Sequence, residues 1–446
     1  MGIFREIPPT AGLLLYLKDF LSLIPIGRRE NSLEDDFKNY LGVPYAKVTY
    51  SGTAAFYLIL ESVKRISSKR TVIIPSFICP LVPLAISRAG LKIKVCDINK
   101  DNFNFDLNQL RELCLKNNDI MAVVAVHLGG IPLDLEAIKP IAEEHKIFII
   151  EDCAQSLGAS YKGKKTGTSG EFSFFSLCRG KGLTIYEGGL IVTAQKEYCA
   201  MIEDTVKRFV NNDILSESLK IIELLGYWIF YRPRLFWFVY RLPQIFWNWR
   251  GENLKAANEY FSIDFPIHKV SGLRKSIGHS AFGRLEEEIA KQRQKAADYM
   301  EKLNLPGLKS GDSSRAEKAQ CHSSHEALAR GFPCLPAGRC EGLKDIRTIK
   351  IIKEPGAAKA TYPYLTLIFD EPARCQKAKR IFNNYGLGVS FVYLSAVTDY
   401  GYLKGILEEE NSANGRYLAE RIITLTTSTF LKNEELDSLV EMIKNL

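Results

Sequence analysis

The sequence predicts an α/β fold with a mostly parallel sheet between layers of helices, followed by a small C-terminal α+β domain. Two observations predict it. Short apolar segments alternate with helical segments between residues 71 and 193, as in doubly wound sheets. The apolar segments are nearly continuous runs of Val, Ile and Ala, which is typical of strands buried on both faces. The 446 residues, 46% of them hydrophobic, suffice for two domains.

The elements follow in order. Residues 33–70 are predicted to be helical, with a turn at Leu41–Val48. Apolar runs then predict six strands, at 71–75, 92–98, 121–128, 146–152, 172–177 and 188–193. Amphipathic patterns between them predict crossover helices at 81–90, 107–117 and 134–145. This order predicts parallel strands joined by helices that cover both faces of the sheet.

We predict a large domain over residues 1–285 and a small domain over residues 286–446. A long charged amphipathic helix at 284–303 leads from one to the other. An irregular stretch at about 304–345, rich in Ser, Gly, Ala and Arg, is predicted to be a loop. Beyond it, the pattern predicts a strand at 361–369 and helices at 372–385 and 433–445.

An aromatic segment interrupts the large domain at about residues 217–250. Its most apolar part, 221–249, holds all four tryptophans, and arginines and two prolines divide it. It lacks the ~18 uninterrupted apolar residues of a membrane span, so it predicts short amphipathic helices. Two interpretations stay open. The helices cover the core or a subunit interface, or they form a peripheral membrane contact or a pocket for an apolar substrate.

The charge and the cysteine content bear on possible partners, on the cellular location and on metal binding. The net charge is +8, but Lys and Arg are scattered and no basic block contains interleaved aromatics, so no nucleic acid partner is predicted. Ten cysteines without framework spacing, and no signal peptide pattern, favour reduced thiols and a cytoplasmic location. The irregular loop lacks the spacing of a compact zinc site, so no metal is predicted there, although it contains Cys321, His322, His325, Cys334 and Cys340.

Two polar features fall where open parallel sheets bind ligands. In SGTAAF, residues 51–56, Ser51, Gly52 and Thr53 precede a helix. Their N–H groups would cradle a phosphate, or Ser51 would be a plain N-cap. Asp152 ends a buried strand, where a carboxylate is costly unless it is paired. It would cap a structural element, hold a protonated ring nitrogen or bind a metal.

The third feature is Lys181, which lies between two glycines in SFFSLCRGKGLTIYEGG, residues 173–189. A P-loop would need Gly and Ser or Thr where the chain has Phe175 and Gly182, so that interpretation fails. An isolated lysine, an acid at a strand end and a phosphate cradle on one sheet are what pyridoxal 5'-phosphate (PLP) requires.

The blocks SGTAA, VIIPSF, VHLGGIPLDLEAI, IIEDCAQSLGASYKGKKTGTSGEFSFFSL and KGLTIYEGGLIVT closely resemble the DegT/DnrJ/StrS family. These are fold-type-I PLP enzymes, mostly nucleotide-sugar aminotransferases. The resemblance covers about residues 34–195 and resumes more weakly from about 361. It implies PLP as cofactor, glutamate as amino donor and a keto sugar carried on a nucleotide as acceptor. It also implies a homodimer and a place in cell-surface polysaccharide or amino-sugar biosynthesis.

The resemblance also implies roles for individual residues. Lys181 would be catalytic and carry the cofactor as a Schiff base. Asp152 would be the second catalytic residue and bind the pyridine nitrogen. Gln155 would lie near the ring oxygen, and Ala154 would lie against a ring face. The phosphate would be bound by four residues, Gly52, Thr53, Ala54 and Ser176.

The sequence departs from the family pattern at two places. Cys79 stands where the family commonly has an aromatic ring stacked on PLP, so Cys79 is a predicted cofactor contact and Phe77 a candidate replacement for the ring. The segment FPIHKVSGLRKSIGHSAF, residues 265–282, has no clear equivalent of the asparagine that the neighbouring subunit usually contributes.

Other residues and functions stay open. His127 either shapes the pocket or is a satisfied structural histidine. Glu187 is predicted to be structural, and Cys153 and Cys178 are predicted to be packing residues. Two alternatives to an aminotransferase remain. A PLP-dependent sugar dehydratase would replace the lysine by histidine, which Lys181 opposes. The other is a non-catalytic binding or regulatory protein on the same fold. It is opposed by the joint presence of four residues, Lys181, Asp152, Gln155 and Ser176.

Overall fold

The computed structural model describes residues 4–21, 32–303, 349–383, 385–407 and 411–446. The described strands are β1 (Tyr45–Thr49), β2 (Thr71–Pro75), β3 (Lys92–Cys96), β4 (Ile120–Val126), β5 (Phe148–Asp152), β6 (Ser160–Tyr161), β7 (Lys164–Lys165), β8 (Phe172–Ser176), β9 (Gly189–Thr193), β10 (Ile349–Ile351), β11 (Ala358–Lys359), β12 (Tyr364–Phe369), β13 (Val389–Ser390) and β14 (Ile422–Thr426).

The α-helices frame these strands on both sides of the sheets. They are α1 (Leu17–Leu21), α2 (Leu33–Leu41), α3 (Gly52–Val63), α4 (Leu81–Arg88), α5 (Leu107–Lys116), α6 (Lys139–His145), α7 (Lys196–Phe209), α8 (Ile214–Phe230), α9 (Pro233–Phe236), α10 (Leu242–Trp249), α11 (Asn253–Ala256), α12 (Gly272–Phe282), α13 (Leu285–Lys302), α14 (Pro372–Phe382), α15 (Ala413–Arg421) and α16 (Asn433–Lys444).

A seven-stranded sheet in the order β1-β9-β8-β5-β4-β2-β3 forms the centre of the molecule. The strands from β8 to β3 are parallel, and β9 runs antiparallel to both of its neighbours. Every residue of β4 is buried, which explains its unbroken apolar sequence. The mostly parallel α/β sheet is therefore confirmed. The carboxyl ends of β5 and β8 meet at one edge, where Asp152 and Ser176 end the strands.

The predicted helix over 33–70 is wrong in its middle. A left-handed Gly42, with φ of 68°, ends α2, and the next residues form β1, which pairs with β9. The strand has only five residues, too few to separate helical from extended periodicity. Predicted helix 134–145 also divides, into a 3₁₀ turn and α6, because Pro140 restarts the helix in its first turn.

A second, antiparallel sheet in the order β10-β12-β14-β13 lies in the C-terminal part. The predicted strand 361–369 begins at Tyr364, and the predicted helices near 284–303, 372–385 and 433–445 are present with slightly shorter bounds. A small third sheet pairs β11 with β6 and so joins the two halves. The predicted loop 304–345 lies outside the described residues, and the domain boundary near 285 stays a prediction.

The aromatic segment is helical, as predicted, but its first helix has 17 residues and only the elements after it are short. The helical elements are α8, α9, a π-helical turn at Trp237–Arg241 and α10. Within the described ranges, none of the helices has the length and apolar character needed to span a bilayer. Leu224 and Tyr227 of α8, and Tyr231 directly after it, belong to the same buried hydrophobic cluster as Leu177 and Ile185, which flank Lys181 in the chain. The segment therefore contributes directly to the surroundings of this lysine.

Candidate active site

Asp152 lies at the carboxyl end of β5 and is 5% exposed. Among the described residues, its carboxylate accepts one hydrogen bond, from Ala154 N–H to Oδ1 at 2.9 Å. Burial raises the pKa of Asp152 to about 6, against the opposing effects of that hydrogen bond and of the charges of Lys181 and His127. A buried carboxylate with spare acceptor capacity is what a protonated ring nitrogen would satisfy.

Lys181 lies in the turn between β8 and β9. Two backbone hydrogen bonds close this turn, from Leu177 N–H to Gly188 O at 2.8 Å and from Ile185 N–H to Leu177 O at 3.1 Å. The charge of Lys181 acts on the pKa of both Asp152 and Cys79, so the three groups lie within electrostatic reach. Among the described residues, its ammonium group has no ion pair or hydrogen bond. It is therefore available as a nucleophile and proton carrier.

The N-terminal segment and α8 pack closely on the lysine turn. A Cβ at Gly12 would lie 2.8 Å from Lys181 O, so only glycine allows this approach. Gly180 is left-handed, with φ of 69°, and a Cβ there would lie 2.5 Å from Thr10 Oγ1. Tyr231 Oη donates to Thr10 O at 3.3 Å. Sequence reasoning missed these contacts, because they join segments far apart in the chain.

The N-terminus of α3 meets the end of β8. A Cβ at Gly52 would lie 3.3 Å from Ser176 Cβ, and a Cβ at Gly189 would lie 2.2 Å from Ser51 O. Ser51 Oγ accepts from Ala54 N–H at 3.0 Å, so Ser51 is an N-cap, and the phosphate cradle stays a prediction. The cap leaves the N–H groups of Gly52 and Thr53 for an anion, whereas a phosphate contact by Ala54 N–H would have to replace the capping bond.

Gln155 is fixed by two donors. Its Oε1 accepts from Gly129 N–H at 3.0 Å and from Tyr364 Oη at 2.5 Å. This leaves the side-chain NH₂ as the group that can donate to a ligand oxygen, as its predicted role near the ring oxygen requires. Tyr364 is 209 residues away in the chain, and no sequence signal indicated it.

Cys79 occupies the position where a ring stacked on the cofactor was expected. The thiol of Cys79 has its pKa raised to about 12, first by burial, so it is neutral. Phe77, the proposed replacement, is 2% exposed and packs edge-on against Tyr393, with ring centroids 5.2 Å apart, and against Phe103. Burial, and after it the nearby charge of Asp152, raises the pKa of Tyr393 well above its usual range. Tyr393 is therefore an aromatic residue of the candidate site that the sequence did not indicate.

Glu259 holds the segment that carries Tyr393. Its Oε2 accepts from Leu394 N–H at 3.0 Å and from Tyr400 Oη, and its backbone carbonyl accepts from Tyr402 Oη at 2.7 Å. These bonds join the residues after β13 to Glu259, which follows the aromatic segment in the chain. The C-terminal part therefore supplies one side of the site.

His127 is a satisfied structural histidine. Its Nδ1 accepts from Leu133 N–H at 2.9 Å, so Nε2 carries the proton and donates to Glu151 Oε2 at 2.9 Å. His127, Glu151 and Cys153 offer ligand atoms within 4.8 Å of one another. The hydrogen bonds occupy the first two, and burial keeps the Cys153 thiol protonated by raising its pKa. The predicted loop cysteines and histidines lie outside the described residues.

Two further polar groups support the lysine turn. Glu187 accepts from Tyr50 Oη at 3.2 Å and pairs with Lys220 at 2.9 Å, which fits its predicted structural role. Arg274 is fully buried, donates to the carbonyls of Ile185 and Glu187, and forms a bidentate pair with Glu217 at 2.7 and 2.5 Å. Sequence reasoning missed Arg274, although it lies in the segment 265–282 searched for a family motif.

The site residues fit PLP on three observations. Asp152 is a buried carboxylate with one hydrogen bond, Lys181 has an unpaired ammonium group, and Gly52 leaves room beside Ser176 at a helix N-terminus. Asp152 would hold the ring nitrogen, Lys181 would hold the cofactor covalently, and Gly52, Thr53 and Ser176 would hold the phosphate. The stacking ring is the feature for which the chain offers no direct equivalent.

The fold matches solved structures over nearly the whole chain. PseC of Helicobacter pylori, an aminotransferase involved in the biosynthesis of pseudoaminic acid, matches with a TM-score of 0.69 at 15% identity, over 99% of both chains. The Escherichia coli GDP-4-keto-6-deoxy-D-mannose 3-dehydratase with bound hydrated PLP matches with a TM-score of 0.69 at 16% identity, over 99% of this chain and 100% of that chain. The chain therefore has the fold of fold-type-I PLP-dependent enzymes.

Sequence comparison specifies the family. Residues 19–212 match the model of the DegT/DnrJ/EryC1/StrS aminotransferase family. The GDP-perosamine synthase of Caulobacter vibrioides is 27% identical over 278 residues, which are 62% of each chain. The chain thus spans less than two thirds of the length of this curated relative. Residues 19–212 are thus similar to the DegT/DnrJ/EryC1/StrS aminotransferase family, which confirms the resemblance of the sequence blocks in this part of the chain.

Proposed function

We propose that the protein is a PLP-dependent aminotransferase that moves an amino group, from a donor such as glutamate, to a keto sugar carried on a nucleotide. One observation carries the proposal: an unpaired Lys181 within electrostatic reach of the buried, under-bonded Asp152. The match of residues 19–212 to an aminotransferase family and the similarity to a GDP-perosamine synthase support it.

The residues divide the work as follows. PLP supplies an electron sink for the bond broken at the donor's α-carbon. Lys181 would hold the cofactor, and its amine, once released, would take a proton from the donor's α-carbon. Asp152 keeps the ring nitrogen protonated, and Gln155 donates its NH₂ to the ring oxygen. The N–H groups of Gly52 and Thr53 and the hydroxyl of Ser176 bind the phosphate.

The test follows the cofactor and then the amino group. Wild-type protein with PLP should show a visible absorbance band that glutamate removes. Borohydride treatment should add the mass of reduced cofactor to the wild type and to Cys178→Ala, but not to Lys181→Ala. Cys178→Ala is the matched control, because it also truncates a side chain to alanine in the same turn, three residues from Lys181. A wild-type protein that shows no band and gains no mass with excess PLP would overturn the proposal.

The two alternatives give different results in the same assay. A non-catalytic binding protein would bind PLP, but glutamate would not change the spectrum. A sugar dehydratase would release water from the acceptor and leave no amine on the sugar, which mass spectrometry of products from a panel of nucleotide keto sugars distinguishes. The aminotransferase should add nitrogen to at least one of these sugars.

Location and partners complete the proposal. A cytoplasmic location is supported by the seven described cysteines, all free thiols. A homodimer is proposed on the family resemblance and is tested by sedimentation. We include a peripheral membrane contact through residues 221–249, supported by the exposed apolar side chains of these helices.

A further inference from the structure

The outer face of the helices from Pro233 to Trp249 carries a continuous row of large apolar side chains. Those in α10 recur at spacings of three and four residues, so they share one helical face, and a π-helical turn separates them from Leu235 in α9. We name this row the outer stripe: Leu235, Phe238, Leu242, Ile245, Phe246 and Trp249, all exposed. Trp249 is 80% exposed. A contiguous apolar surface of this kind marks an interaction site rather than ordinary exposure.

The opposite face of the same helices is firmly attached to the protein. Phe236 stacks on Tyr240, with centroids 4.8 Å apart, and packs edge-on against Tyr231. Arg241 donates to Asn383 Oδ1 at 2.5 Å and to the carbonyl of the same residue. The outer stripe is therefore held outward on a fixed platform, so its exposure does not result from a loosely attached helix.

The charge around the outer stripe indicates what covers it. Between residues 232 and 251 the sequence has four arginines and no acidic residue. Arg234 and Arg250, both exposed, lie at the two ends of the stripe. Lys255 adds a third cation, and Glu252, which pairs with it and lies 3.8 Å from Arg250, offsets one charge. Aromatic and aliphatic residues flanked by cations are typical of helices that lie in the interface of an anionic bilayer.

A second copy of the chain fits this surface less well. A two-fold symmetric contact would apply the same patch to itself. It would bring Arg234 and Arg250 of both copies into one desolvated interface, where Glu252 lies beside Arg250 and no acidic residue between 232 and 251 could pair with Arg234. Since like charges in an interface oppose association, the cations favour an acidic lipid surface over self-association.

We infer that the outer stripe binds the surface of an anionic lipid bilayer, with the helices from Pro233 to Trp249 in the plane of the interface. Apolar side chains would enter the headgroup region and Arg234 and Arg250 would contact lipid phosphates. The inference rests on the membrane contact included in the proposed function, and it names the surface and the lipid chemistry. It places a sugar-modifying site close to a membrane face.

The four tryptophans make the test direct, because all of them lie between residues 228 and 249. Tryptophan fluorescence, excited at a wavelength that tyrosine does not absorb, therefore reports on this segment alone. Full-length protein is mixed with vesicles of equal parts phosphatidylglycerol and phosphatidylcholine, or of phosphatidylcholine alone. We expect co-flotation and a shift of emission to shorter wavelength with the anionic vesicles, and weaker binding to the neutral ones.

Matched variants locate the contact. Phe246→Glu/Trp249→Glu should lower vesicle binding at least tenfold. Ile66→Glu/Leu115→Glu, which changes two exposed apolar side chains away from the stripe, should not. Arg234→Gln/Arg250→Gln should weaken binding to anionic vesicles by about fivefold for each cation removed and leave binding to neutral vesicles unchanged.

Three results would overturn the inference. Wild-type protein fails to bind anionic vesicles, or the Ile66/Leu115 variant loses binding as the Phe246/Trp249 variant does. In the third, the wild type is a dimer by sedimentation and Phe246→Glu/Trp249→Glu turns it into a monomer, which would assign the stripe to a second copy. The PLP absorbance band of the same samples keeps failure of this inference separate from failure of the aminotransferase proposal.

Discussion

Glu151 and Asp152 are neighbours on one strand, both almost fully buried, and they differ in how they are bonded. Glu151 accepts from Gly167, Ser169 and Gly170 N–H groups at 2.7–2.8 Å and from His127 at 2.9 Å. Burial alone would raise its pKa, but these bonds outweigh it and the pKa is lowered. Asp152 has one such bond and a pKa raised to about 6.

The difference separates a structural carboxylate from a functional one. A strand directs successive side chains to opposite faces. Glu151 therefore meets the turn 167–170, whose N–H groups satisfy it, while Asp152 meets the end of the sheet, where Lys181 lies. A charge that is buried without enough partners costs free energy unless a ligand completes it. Three predictions test this contrast, in order of expected effect.

Asp152→Asn should reduce aminotransfer on the order of 10³-fold, because the variant cannot keep a ring nitrogen protonated; removal of one preorganised charge has effects of that order. Without PLP, the variant should be more stable than the wild type at pH 8. The folded pKa of about 6 lies above the unfolded value of 3.8, so the wild type loses stability as pH rises between them.

Urea denaturation of PLP-free protein at pH 3 and pH 8 measures the stability effect. The gain from Asn should be absent at pH 3, below both pKa values. If Asp152→Asn is less stable than the wild type at both pH values, Asp152 is a structural group and the contrast with Glu151 fails.

Glu151→Gln should cost about 3 kcal/mol of unfolding free energy at pH 7, since it removes a buried charge from four donors and leaves an amide NH₂ facing them. The pKa of Glu151 is lowered in the folded state, so its stabilisation is present above the unfolded pKa and disappears as pH falls through the folded one. The cost of the variant should therefore shrink in acid. Urea titrations over a pH series check this, and an unchanged cost at low pH would contradict it.

The sequence predicted the parts of this site that lie at strand ends. Asp152, Ser176 and Lys181 could be placed because buried apolar runs mark β5 and β8 clearly. Strand β1 could not, since five residues at a sheet edge carry little periodicity. Side chains that complete the site from elsewhere, such as Tyr364 and Tyr393, could not be predicted either. These two tyrosines lie in the C-terminal part of the chain. Their local sequence does not indicate which residues of the large sheet they contact.

Glu6 is a third buried carboxylate and sharpens the contrast. It is 7% exposed, and its side chain accepts no hydrogen bond from the described residues. Burial raises its pKa to about 7, against the charge of Arg241. Like Asp152 it is under-bonded, but Lys181 does not act on it. It lines a cavity of about 320 Å³ between the aromatic segment and α14, whose lining includes the cations Arg241, Lys379 and Arg380.

Glu6→Gln should therefore stabilise the protein with a pH dependence like that of Asp152→Asn, but leave PLP binding unchanged. The pKa of about 7 against 4.5 unfolded means that the wild type loses stability between these values as pH rises. With Arg241 and cavity water reducing the cost, we expect a gain of about 1–2 kcal/mol at pH 8 and none at pH 4. Thermal melts at both pH values and a PLP titration measure the two properties. Unchanged PLP binding would show that the missing hydrogen bonds alone do not mark a site carboxylate and that Lys181 beside Asp152 makes the difference. Weakened PLP binding in Glu6→Gln would contradict this prediction.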